Sequence, residues 1–127
     1  MQSTILKIVL VSLSLTGCAM AVASEPAGVA NTSKGKTLVD AHGMTLYTFD
    51  KDTAGKSACN GPCATNWPPL AASNATSSGD WTVVARDDGN KQFAYKGRPL
   101  YTFAKDTAPG DIKGDGFLNN AWHIAQP

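Results

Sequence analysis

The 127-residue chain has three cysteines, two histidines and no surplus of either charge: eleven Lys and Arg stand against ten Asp and Glu. Each scarcity excludes something. A near-neutral chain without a basic run is poor material for neutralising phosphates, so nucleic-acid binding is excluded. It also lacks the polybasic stretch of a membrane-surface binder. The apolar stretch Ile8 to Leu15 is too short to span a bilayer. No zinc ligand set, Gly-rich phosphate loop or dinucleotide fingerprint is present. Ser57, Ser73, Ser77 and Ser78 sit in loops without a nucleophile-elbow pattern, so no catalytic residue is assigned. No segment keeps a helical period, because twelve Gly and seven Pro interrupt every candidate.

What the chain does have, it has twice. Leu46-Tyr47-Thr48-Phe49-Asp50-Lys51-Asp52-Thr53-Ala54 returns as Leu100-Tyr101-Thr102-Phe103-Ala104-Lys105-Asp106-Thr107-Ala108, with one difference, Asp50 against Ala104. Downstream, Gly55 precedes Trp67 and Gly110 precedes Trp122 by the same interval. The extra Pro109 shifts the register by one in a turn, where backbone length is cheapest to change. An internal duplication fixes the architecture before any residue is given a role.

The N-terminus is an address. Residues 1–17 form a signal peptide, and Leu15-Thr16-Gly17-Cys18 fits the lipobox pattern in which Cys18 becomes the lipidated first residue. The alternative is ordinary secretion with cleavage after residue 23, at Ala21-Val22-Ala23. Both place the folded part outside the cytoplasm. Ala19 after Cys18 gives no inner-membrane retention signal, which points to an outer-membrane anchor facing the periplasm; the alternative is a secreted or soluble periplasmic protein. Residues 18–33 are small, aperiodic and read as a flexible tether. Residues 34–127 then make one small β-domain: repeat one over about 35–70, a linker at 71–80, and repeat two over about 81–125.

That domain reads as all-β, six to eight short strands in a small sandwich or barrel with a pseudo-two-fold. Lys36–Asp40 and Thr45–Phe49 form a hairpin around Ala41-His42-Gly43. Trp81–Ala85, Gln92–Tyr95, Leu100–Phe103 and Trp122–Ala125 supply further strands. Arg86-Asp87-Asp88 is turn-flanking charge. Alternation puts Tyr47 and Phe49 on one strand face and Leu46 and Thr48 on the other; Tyr101 and Phe103 repeat the pattern. The aromatics, with Trp67 and Trp122, are read as core. Asp52 and Asp106 follow the strand and accept hydrogen bonds from the turn beyond it.

Tyr47-x-Phe49-x-x-Asp52 and Tyr101-x-Phe103-x-x-Asp106 resemble the motif of a bacterial family of predicted lipoproteins with a Y-x-(F/W/Y)-x-x-D signature, also described as a secreted repeat of unknown function. Cys59-Asn60-Gly61-Pro62-Cys63-Ala64 and Trp67-Pro68-Pro69-Leu70 resemble its other recurring elements. The resemblance implies a cell-envelope location and a repeated β-unit, and brings no agreed activity, cofactor or catalytic residues.

Cys59 and Cys63 flank Asn60-Gly61-Pro62, a tight turn that can bring their sulfurs together. In an oxidising envelope the pair reads first as a disulfide. The alternative is a working thiol pair that holds Cu(I), with His42, Met44 or His123 completing the site, or that exchanges disulfides. The sequence therefore leads to a non-catalytic envelope module, held to the membrane by a lipid and binding an unidentified envelope protein or small ligand. No cofactor is expected in that case. A copper-binding or thiol-redox periplasmic protein is the rival, and an unidentified enzyme a distant third.

Overall fold

The computed structural model describes residues 26–73 and 75–127; the signal segment, Cys18 and the first part of the tether lie outside the described residues. Among the described residues, seven short strands form three small antiparallel sheets. β1 (Gly28–Thr32) pairs with β2 (Gly35–Val39). β3 (Tyr47–Phe49) pairs with β7 (Trp122–Ile124). β4 (Trp81–Ala85), β5 (Lys91–Tyr95) and β6 (Arg98–Pro99) make the third sheet. The all-β class read from alternation and turn signals holds.

The tether expected through residue 33 gives way to β1 at Gly28, and Ala27 is already buried against the Leu38 side of the core. Its small residues give no strand signal, because the strand is held by backbone pairing with β2 while most of its side chains stay exposed. Leu100–Phe103, expected as a strand, makes only single bridges at Tyr101, to Tyr47 and Pro69. The cause lies opposite: Trp67-Pro68-Pro69 lacks two of the amides a ladder needs, whereas its counterpart Trp122-His123-Ile124 has them and forms β7. A five-residue helix, α1 (Pro62–Asn66), starts with Pro at its first turn and is too short to show a period in the sequence. At the matching place in repeat two, Phe117–Asn120 is a left-handed turn, with φ of 56°, 56° and 64° at Leu118, Asn119 and Asn120.

The two-fold passes between Tyr47 and Tyr101. The Tyr47 amide donates to the Tyr101 carbonyl at 2.7 Å, and the Tyr101 amide to the Tyr47 carbonyl at 3.0 Å. Around this pair the bonds come in matched couples. Leu46 N–H reaches Leu38 O at 2.9 Å, and Leu100 N–H reaches Phe93 O at 3.0 Å. Ala125 N–H reaches Leu46 O at 2.8 Å, and Leu70 N–H reaches Leu100 O at 2.9 Å.

Both faces of the repeated phrase are buried. Leu46 and Leu100 join Leu38 and Trp81 in one cluster, while Tyr47, Phe49, Tyr101 and Phe103 join Trp67 and Trp122 in another. In the aromatic cluster four rings stack in the order Phe49, Trp122, Trp67, Phe103, with centroid spacings of 4.2, 3.8 and 4.1 Å. The two indoles are parallel within 2°. Tyr47 meets Trp67 edge-on and Tyr101 meets Trp122 edge-on. Each repeat thus sends its Trp between rings of the other. Such contacts add about 1 kcal/mol apiece beyond the area they bury.

Candidate functional site

The motif residues meet across the two-fold. Asp52 accepts the Ala58 amide on Oδ1 at 2.7 Å, which fastens the turn after its own strand. Its Oδ2 accepts the Tyr101 hydroxyl, from the other repeat, at 2.6 Å. Asp106 does the same: the Lys113 amide donates to Oδ1 at 3.0 Å, and the Tyr47 hydroxyl to Oδ2 at 2.6 Å. Tyr and Asp lie five residues apart in each repeat and look like local partners; nothing in that spacing reveals the exchange. Burial, and then the carboxylate beside each, pushes both phenols well above their ordinary value. Burial also raises both carboxyls, against the hydrogen bonds they accept.

The surroundings of the two locks differ. In the first, the Tyr101 hydroxyl also lies 2.6 Å from Ser57 Oγ. Arg86 closes this side: it donates to Ser57 Oγ at 3.0 Å, Gln92 Oε1 at 2.7 Å and Cys59 O at 2.5 Å. Arg86 is buried, so its reading as turn-flanking charge is corrected. It stands in the five-residue β4–β5 loop, whereas the β1–β2 turn has only Ser33 and Lys34, so repeat one offers no counterpart. In the second lock the Gly114 amide donates to the Tyr47 hydroxyl at 3.2 Å. A Cβ on Gly114 would come within 2.7 Å of two Trp67 ring atoms, which explains why Gly stands opposite Cys59.

Cys59 and Cys63 are joined as a disulfide, and Cys59 is fully buried. Closing so short a loop contributes about 2 kcal/mol on the chain-entropy model. The other residues of the alternative copper set are not gathered around it. His42 and Met44 lie on the turn after β2, where their amides donate to Asp40 Oδ1. His123 is on β7 and pairs with Asp50 at 2.8 Å. Among the described residues no three His, Cys, Asp or Glu side chains converge.

His123 and Asp50 instead line a cleft of about 670 Å³, with Lys34, Lys96, Arg98 and Asp115. A smaller recess of about 270 Å³ shares Asp50, Lys96 and Arg98 and reaches Asp52. The recess therefore connects the cleft's edge to the first Tyr–Asp lock. In the sequence only the repeat mismatches at Asp50 and Lys96 point towards the cleft, because its residues come from five separate segments.

No curated protein and no solved structure matches the chain. A family model does, at residues 28–71 and again at 82–126, which are the two halves related by the Tyr47–Tyr101 axis. With most of the chain covered by two tandem matches, this protein belongs to the Lipoprotein_15 family, a secreted repeat of unknown function.

Proposed function

We propose that the protein is a lipid-anchored module of the bacterial cell envelope that binds or supports a partner and performs no chemistry of its own. The observation that carries this is the reciprocal lock. Tyr47, Tyr101, Asp52 and Asp106 are the motif's reactive side chains, and each is spent on holding the two repeats together. The phenols are kept protonated by burial, the opposite of what a general base or nucleophile needs. The disulfide fits an oxidising compartment and a small core. The lipobox at Leu15-Thr16-Gly17-Cys18 supports the anchor, with the ten-residue segment 18–27 left to reach from the lipid to β1.

Metabolic labelling with a tagged fatty acid tests the anchor. Label is expected in the wild-type protein and none in Cys18→Ala. A Cys18→Ala protein that still takes up label overturns it. Thiol titration without reductant is expected to find neither Cys59 nor Cys63 free; stoichiometric copper binding by two free thiols would restore the rival.

A further inference from the structure

We propose that the cleft bordered by Lys96, Arg98 and His123 is a binding site for a small ligand with a phosphate monoester head. This deepens the envelope-module reading and rests on its claim that the protein holds a ligand without converting it.

The first observation is charge. Asp115 in the cleft is ion-paired with Lys34, and Asp50 is hydrogen-bonded to His123. Lys96 and Arg98 are left over: among the described residues neither forms an ion pair. Two cations without an ion-pair partner on the wall of a cleft attract an anion and are ready to bond it. They stand two residues apart on one turn, which suits a single dianionic head better than two separated carboxylates.

The second observation is backbone conformation. Tyr95 pairs with Arg98, so Lys96-Gly97 is a two-residue hairpin loop. Its φ values are 51° at Lys96 and 80° at Gly97. Both central residues of such a turn need positive φ, and Asn or Asp followed by Gly serves best. Lys is a poor choice for the first position, and a poor local choice at a cleft points to use. The Lys96 ammonium is held 5.2 Å from the centre of the Tyr95 ring, which steadies it.

The third observation comes from the repeat itself. Asp50, Lys96, Arg98 and His123 correspond to Ala104, His42, Met44 and Pro68 in the other copy. The two halves agree where they hold each other and differ at every one of these cleft positions. The cleft is thus, with the Cys59 and Gly114 positions, one of the places where the copies diverge.

NMR titration of the isotope-labelled protein with glucose 6-phosphate tests the site, with inorganic phosphate, glucose and succinate as separate arms. Glucose 6-phosphate is expected to shift the amides of Lys96, Gly97, Arg98 and His123, inorganic phosphate to shift them more weakly, and glucose not at all. Arg98→Gln should weaken binding about tenfold, as loss of a charge-assisted pair does. Lys105→Gln, an exposed cation elsewhere, should change nothing. Lys96→Asn is the sharper variant: it should raise the thermal midpoint, because Asn suits the turn, and weaken binding at the same time. Absent shifts with both phosphates, tighter binding of succinate, or undiminished binding by Lys96→Asn and Arg98→Gln would each overturn the proposal. Hydrolysis of glucose 6-phosphate in the cleft would leave the site standing and remove the non-catalytic reading.

Discussion

Replacing Tyr47 with Phe deletes one oxygen and strands two polar groups, the Asp106 carboxylate and the Gly114 amide. Tyr101→Phe is milder, since Ser57 and Arg86 remain to satisfy the region around Asp52. Tyr47→Phe is expected to cost about 2–3 kcal/mol and Tyr101→Phe about 1–2, from the penalty of leaving buried groups unpaired. Urea unfolding of the two variants checks the order. The same phenols set an alkaline limit. Their folded values lie above the ordinary 10.0, so their contribution to stability is complete below that pH and is lost as pH rises beyond it. In a Tyr95→Phe background, which leaves these two phenols alone, phenolate absorbance should appear together with loss of the near-ultraviolet dichroism. Phenolate absorbance that develops on an intact fold would contradict the lock.

At the level of elements, the two repeats place different solutions on one plan. Repeat one follows its turn with α1, fastened by the Cys59–Cys63 disulfide; repeat two uses Gly114 and a left-handed turn in the same place. Gly114→Ala should therefore destabilise by more than about 2 kcal/mol, since the added methyl must displace the stacked Trp67 ring, and overpacking of that kind is costly. The thermal midpoint of Gly114→Ala against that of the wild type checks this. Much at this scale was legible in the chain. The duplication, the β4 and β5 strands and the alternation of Tyr47 with Phe49 are local patterns of identity and period. The rest depends on distant partners. β1 is a strand because β2 lies beside it, Leu100–Phe103 loses its ladder to two prolines thirty-odd positions away, and Arg86 is buried because the Cys loop of the other repeat covers it. The cleft was hidden for the same reason, although the mismatched positions Asp50 and Lys96 marked its neighbourhood.

For the whole molecule, the Tyr–Asp exchange and the interleaved rings mean that neither half carries a complete core. Residues 26–73 alone lack Trp122, Tyr101 and Asp106, and residues 75–127 alone lack Trp67, Tyr47 and Asp52. Each fragment by itself should show a disordered circular-dichroism spectrum, and an equimolar mixture should regain the near-ultraviolet signal of the intact protein. Folding of either fragment alone would show that the interface is dispensable.

The reciprocal bonds at Tyr47 and Tyr101 have a consequence for assembly. A surface that meets its own sibling across a two-fold does not distinguish a sibling in the same chain from one in a neighbouring chain. The short connection between the halves holds each at high effective concentration near the other, which favours pairing within one chain. Cutting that connection down within residues 73–79 should prevent the halves from folding back and drive a domain-swapped pair with every internal contact preserved, visible as twice the solution mass of the uncut protein.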